Sequence, residues 1–355
     1  MTPAELSRTV LRSVRSAVEE RELSVPVPAR IVVQPPPRPG CGDYASNVAL
    51  QLAGQAGLPP REVAEILRRR LVGCPGIARV EIAGPGFLNF HLGVGAAAGL
   101  VADVLARGER YGEPPAPGAA GPGRTGGPAR YTGEWARARQ TVVGEALARL
   151  GREEAVRTQS AAAPGGDGEL ADLVARLGGD EARWVLLRPA AHDPVRAPRR
   201  PVQHEDNPRF RVQYAFARTR AMVRNAGELG FAGEPGDVLG EPSAHPGDAP
   251  PHRAAPRTSQ APRAPQTLQA LETCLGTYPT ATATAARRCA PDRVVRHLEA
   301  TADAYLRWQE EFWPLPVGEQ KPLAVHRARV ALAEATGTVL GNGLRLLGIS
   351  APEHV

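Results

Sequence analysis

The chain has 355 residues, enough for two or three domains. Its content is 42% hydrophobic but only 5% aromatic, which favours helical cores of Leu, Val and Ala over all-β sheets. A net charge of +6 suits a polyanionic partner, the four cysteines form no C-x-x-C pair for a zinc cluster or a disulfide framework, and no apolar run approaches the ~18 residues of a membrane span.

Thr2-Pro3-Ala4-Glu5 starts a helix with a capping Thr, a proline at the first position and a glutamate in the capping-box position. Leu6, Val10, Val14 and Val18 continue it at helical spacing. Arg30–Val33 reads as a short strand ended by prolines, and Asp43 can cap a helix carrying Val48, Ala49 and Leu52. Pro59-Pro60 opens another helix with Val63, Ile66, Leu67 and Leu71 on its buried face. Val80 and Ile82 alternate with polar residues, Gly84-Pro85-Gly86 turns the chain, and Phe87, Phe90 and Leu92 follow, as in a β-hairpin. A helix over Val94–Arg107 completes an α+β domain at 1–111, and residues 112–129 are expected as a flexible linker of Pro, Gly and Ala.

Gly133–Leu150 reads as a helix, Ala161–Gly168 as a break, and Leu170–Leu187 as helix interrupted at Gly178-Gly179. A proline- and arginine-rich connector, Arg188–Pro208, leads to an almost wholly helical part at 201–355. Its expected helices are Phe210–Leu229, Leu268–Leu275, Arg293–Phe312 and Ala324–Leu347, the last with Val330, Ala333, Val339, Leu340 and Leu344 as its buried stripe. Residues 233–265 are too poor in apolar side chains to stay ordered, so the expectation is an all-α helical bundle with one disordered insertion.

Three segments resemble arginyl-tRNA synthetases. Cys41-Gly42-Asp43-Tyr44-Ala45-Ser46-Asn47-Val48-Ala49 is similar to the family's F-G-D-Y-x-x-N-x-A signature, and Ala83-Gly84-Pro85-Gly86-Phe87-Leu88-Asn89-Phe90 follows as the family's hairpin. Asn207-Pro208-Arg209-Phe210-Arg211-Val212-Gln213-Tyr214-Ala215-Phe216-Ala217-Arg218 resembles the opening of the DALR anticodon-binding domain, with Phe216 where His is usual. The tail from Ala331 resembles the family's, with Val355 in place of a terminal Met.

Between these ends a class I synthetase carries an α/β nucleotide-binding catalytic domain. Only 130–200 remains for it here, too little for a doubly wound sheet, so the resemblance implies that the domain is largely deleted. Arg139–Leu150 resembles the helix after the family's H-x-G-H ATP motif, and Glu134, Trp135, Ala136 and Arg137 stand at the motif. The family stabilises the negative charge of adenylation with those histidines, a helix N-terminus and a mobile lysine. Glu134 would place an anion there, and Lys321 is the only lysine of the chain. No catalytic residue, metal site or cofactor is therefore assigned, although a family-level label would read arginine–tRNA ligase with ATP binding.

The resemblance implies that Phe87 and Asn89 clasp an unpaired base of the tRNA D-loop, the one by stacking and the other by an amide hydrogen bond. Packing of Phe87 inside, with Asn89 capping a turn, is the rival reading. Phe90 belongs to the opposite face and the core, and Asp43, Tyr44 and Asn47 are expected to be structural, Asn47 as a buried amide. Arg211, Tyr214 and Arg218, with Trp308, Gln309 and Val355, fall where the family meets the anticodon arm; a packed Tyr beside solvated Arg is the alternative there. Gln309 stands where the family has an aromatic. The leading expectation is a non-catalytic cytoplasmic protein that binds tRNA, with tRNA-Arg as the first candidate; the alternative is an adaptor for a protein partner such as a complete synthetase or a biosynthetic enzyme.

Overall fold

A computed structural model describes residues 1–34, 36, 41–93, 95–114, 131–152, 166–198, 204, 206–240 and 264–354. Most of the expected linker at 112–129, most of the break at 161–168 and most of the insertion at 233–265 lie outside the described residues. Contacts divide the chain into two units, Met1–Ala102 with Pro235–Gly276, and Asp103–Glu234 with Thr277–Val355.

In the first unit α1 (Pro3–Glu19) starts on the expected capping box: Glu5 N donates to Thr2 Oγ1 at 3.2 Å and Thr2 N to Glu5 Oε2 at 2.7 Å. Helices α2 (Val48–Ala56) and α3 (Pro60–Leu71) follow, and α4 (Ala96–Arg107) closes the N-terminal run. Strands β1 (Tyr44–Ser46), β2 (Ile77–Ala83) and β3 (Phe87–Leu92) form one antiparallel sheet in the order β1-β3-β2. Val80, Leu88 and Phe90 face the helices and share a core with Leu6, Val10, Val14, Val63 and Leu67. Each such side chain stabilises the fold by about 1.5–3 kcal/mol when fully buried.

Several expectations here are corrected. Arg30–Val33 is not a strand; Gln34 alone makes an isolated bridge to Ala45. The hydroxyls of Ser7 and Ser46 donate to the carbonyls of Ile31 and Val32 at 2.6 and 2.8 Å, so side chains satisfy groups that a ladder would otherwise pair. Asp43 does not cap α2. Its Oδ2 accepts from Leu92 N at 2.7 Å, which ties it to the far end of β3. Asn47 is exposed rather than buried, and bonds to Gln51 at 3.1 Å along α2. Gly42 has φ +98°, and a Cβ there would lie 2.7 Å from Phe90 O, so the signature's glycine lets two backbones touch.

The second unit is helical: α5 (Ala136–Arg149), α6 (Gly166–Leu177), α7 (Gly179–Leu187), α8 (Pro208–Glu228), α10 (Asp292–Glu311) and α11 (Ala324–Leu347), with the C-terminal part of α9 (Ala264–Arg288). Helix α9 is much longer than the expected Leu268–Leu275, because Pro279 is accommodated inside it and Thr282 Oγ1 bonds the Pro279 carbonyl at 3.1 Å. Helix α11 packs on α8, α10 and α5, so the segment expected as a catalytic remnant belongs to the same compact unit as the bundle. The core combines Val212, Leu298, Tyr305, Trp308, Val330 and Leu340.

The first residues of the insertion expected to be disordered, 233–240, are held in the structure. A Cβ on Gly233 would lie 2.6 Å from Ala331 N, Glu234 N bonds Arg327 O at 3.1 Å, and Val238 is buried within its own unit. Composition undervalued these residues because few apolar side chains suffice when the backbone itself finds partners.

A buried polar clasp seats α8. Asn207 Oδ1 accepts from Arg209 N at 3.0 Å as the N-cap, while its Nδ2 donates to Glu181 at 2.8 Å. Arg209 Nε donates to the same Glu181 oxygen at 2.5 Å. Gln213 Nε2 donates to Asp180 and to the Ser350 carbonyl, both at 2.9 Å. Burial pushes the Asp180 carboxyl up, but bonds from Ser350 and Gln213 outweigh it and hold it below the usual range. Asn207, Arg209 and Gln213 of the N-P-R-F-R-V-Q segment thus hold helices together.

Candidate nucleic-acid interface

The hairpin alternates as its residue pattern requires. Leu88 and Phe90 point to the core, and Phe87, Asn89 and His91 lie on the other sheet face beside Glu81 and Arg79 of β2. Phe87 is 42% exposed. Asn89, paired with Ala45 on one side and Glu81 on the other, is buried, yet its carboxamide forms no hydrogen bond among the described residues. Glu81 sits 2.9 Å from Arg79 and 3.3 Å from His91. An open phenyl face next to an unused amide can stack on a flat ring and hydrogen-bond its edge.

The second unit holds a cavity of about 300 Å³ between α8 and α10, lined by Phe210, Arg211, Tyr214, Arg218, Gln309 and Trp313 among others. Helical spacing places Phe210, Tyr214 and Arg218 one turn apart on one face of α8. The Phe210 and Tyr214 rings stack with centroids 6.3 Å apart. Arg218 Nε donates to Gln309 Oε1 at 2.7 Å, and its Nη1 lies 3.4 Å from Tyr214 Oη. Arg211 Nε stands 2.7 Å from Asp303 Oδ1.

Four of the expected anticodon-arm residues, Arg211, Tyr214, Arg218 and Gln309, meet in this cavity. Trp308 does not. It is fully buried between the Tyr305 and Phe312 rings, with centroids 6.0 and 6.2 Å away, so it presents no face to a ligand. The available indole is Trp313, 43% exposed, with the Arg218 guanidinium 5.9 Å from its ring centroid. Its position one turn beyond Gln309 was the signal in the sequence that could have found it. Val355 lies outside the described residues. The described tail is held along α8, where Arg220 and Arg224 reach Glu353 at 3.1 and 3.3 Å.

At the ATP-motif positions, Glu134 and Arg137 are exposed and Trp135 adopts a left-handed φ of 68° before α5. The Arg176 guanidinium lies 5.2 Å from the Trp135 ring centroid. The Glu169 carboxylate accepts from Ala138 N at 3.3 Å, occupying a first-turn donor of α5. Inside the same region Arg139 donates to the carbonyls of Pro189, Ala190 and Asp193 at 2.6–2.9 Å. No group of three metal-ligating side chains occurs among the described residues, and no described helix is long and apolar enough to cross a membrane.

Residues 8–92 match the arginyl tRNA synthetase N terminal domain, and residues 212–355 match the DALR anticodon binding domain. The chain is thus similar over two segments to an arginyl tRNA synthetase N-terminal domain and an anticodon-binding domain. It is 50% identical over 116 residues to an arginine–tRNA ligase of Renibacterium salmoninarum, covering 32% of this chain and 21% of that protein. It is 40% identical over 189 residues to that of Paenarthrobacter aurescens, covering 53% and 30%. The chain thus spans less than a third of the length of these curated relatives. A Thermus thermophilus arginyl-tRNA synthetase structure aligns over 100% of both chains with a TM-score of 0.57 at 13% identity, a likeness of fold. The α+β N-terminal domain and the helical anticodon-binding bundle of this synthetase relative are as expected.

Proposed function

We propose that this synthetase relative binds tRNA without activating an amino acid, holding a D-loop base at Phe87 and Asn89 and the anticodon arm at Arg211, Tyr214, Arg218, Gln309 and Trp313. The observation that carries the reading is the α8–α10 cavity. An exposed indole, a guanidinium, a phenol and an amide converge there, the groups that stack on a splayed base and bond its edge. The curated relatives are named arginine–tRNA ligases, which makes tRNA-Arg the first tRNA to test.

The absence of activation is supported by the start of α5. Phosphates are drawn to free N–H groups at a helix N-terminus. Here Glu169 already takes one of those donors, and Glu134 adds a second carboxylate to the preceding turn. Both repel a triphosphate.

Filter binding across a salt series tests the reading. Affinity for tRNA is expected to be about micromolar or tighter at moderate salt and to fall steeply as salt rises. Equal affinity for random RNA would sink it. Arginine-dependent ATP–pyrophosphate exchange is expected to give no signal, and a turnover above background would remove the non-catalytic part.

A further inference from the structure

We propose that Gln309 makes the α8–α10 cavity a reader of hydrogen-bond acceptor edges, so that it takes a guanine in preference to an adenine; the inference rests on the tRNA-binding reading above. Gln309 is only 4% exposed, yet it lines the cavity. The Arg218 Nε–H can only donate, so the oxygen of the Gln309 amide must face it, at 2.7 Å. That leaves the amide nitrogen, Nε2, which is buried and has no hydrogen-bond partner among the described residues. A buried amide donor left unpaired is costly, so a ligand acceptor that meets it gains what the empty site lacks.

The surrounding groups are donors too. Arg218 keeps its remaining guanidinium N–H groups, and Tyr214 Oη, approached by Arg218 at 3.4 Å, keeps its hydroxyl hydrogen. Charge argues for a base over a phosphate. Arg211 is offset by Asp303 at 2.7 Å, and Glu310 adds a carboxylate to the lining, so little net positive charge is left for a phosphate. The exposed Trp313 ring favours a planar occupant.

A free glutamine carboxamide reads adenine, because its oxygen accepts from N6 while its nitrogen donates to N7. Here Arg218 has taken the oxygen, and the amide is left as a donor only. Guanine offers two adjacent acceptors, O6 and N7, to such a site, whereas adenine turns its N6 amino group toward donors.

The test uses the full chain and transcripts of one tRNA in which each anticodon base in turn is G, A, C or U. At one position the guanine transcript is expected to bind about tenfold more tightly than the adenine transcript. Gln309→Leu should bring the two within about twofold, the guanine transcript losing the more affinity. Gln309→Glu, which keeps an acceptor for Arg218 and so guards against misfolding, should reverse the preference. The inference is overturned if the wild type shows no such preference at any position, or if the preference survives both variants. A wild type that binds tRNA without base preference sinks this inference alone, whereas one that cannot tell tRNA from random RNA sinks the tRNA-binding reading with it.

Discussion

The hairpin and the α8–α10 cavity present similar chemical groups in opposite conditions. On the hairpin, Phe87 and Asn89 stand on a sheet whose core lies on its other face, and neither side chain is hydrogen-bonded among the described residues. In the cavity, Tyr214, Arg218 and Gln309 form a bonded chain, and α8 beneath them is seated by Asn207, Arg209, Gln213 and Glu181. A residue of the first kind can be replaced with little effect on the fold. One of the second kind cannot, because each partner left behind is a buried polar group without a bond.

The largest effect should come from the clasp. Glu181→Ala strands the buried Arg209 guanidinium and is expected to lose about 3–5 kcal/mol in urea unfolding. A loss below about 1 kcal/mol would show that the cavity side is no more interdependent than the hairpin side.

In the first unit a large electrostatic effect falls on Glu272. Burial first, and then the Asp43 carboxylate, push Glu272 up to about 7 from an ordinary 4.5. The folded chain therefore holds a proton that the unfolded chain releases across that range. The stability it contributes is complete below pH 4.5 and is lost as pH rises to about 7. Glu272→Gln should flatten this part of the profile, by up to about 3 kcal/mol in urea unfolding between pH 4.5 and 8. A profile of the same slope would remove Glu272 as its source.

RNA affinity separates the regions next. Arg218→Ala should weaken tRNA binding by about 2 kcal/mol, and Phe87→Ala by about 1–2 kcal/mol. Arg218→Ala with Gln309→Leu should be strongly non-additive in a double-mutant cycle, while Arg218→Ala with Phe87→Ala should add within about 0.5 kcal/mol. The smallest effect expected is on stability: Phe87→Ala should shift unfolding by about 0.5 kcal/mol or less, because its ring is 42% exposed.

Periodicity was enough to find most of the long helices and the face of Phe90, since those patterns are set by burial along one element, but not the full length of α9, which runs through Pro279. It was not enough for β1. Three residues carry no alternation, and Tyr44–Ser46 is a strand only because β3 lies beside it. Asp43 reads as a cap by type and position, yet its partner, Leu92, is 49 residues away. The same limit applies to the cavity. Tyr214 and Arg218 are visible as a helical pair, but the choice between Trp308 and Trp313 depends on which indole the bundle buries. That an amide oxygen was already committed to Arg218 could only come from coordinates.

Glu169 gives the start of α5 a permanent competitor. A carboxylate on the same chain meets the α5 donors at an effective concentration set by its tether, of millimolar order or above for a flexible one. A free nucleotide would have to exceed that local concentration before displacing it. Saturating ATP should consequently leave the melting temperature where it was, since a ligand raises it only by binding the folded form better than the occupant it removes. Glu169→Ala would dismiss the occupant, and any nucleotide-dependent shift that then appeared would measure how far the freed α5 donors can take a phosphate.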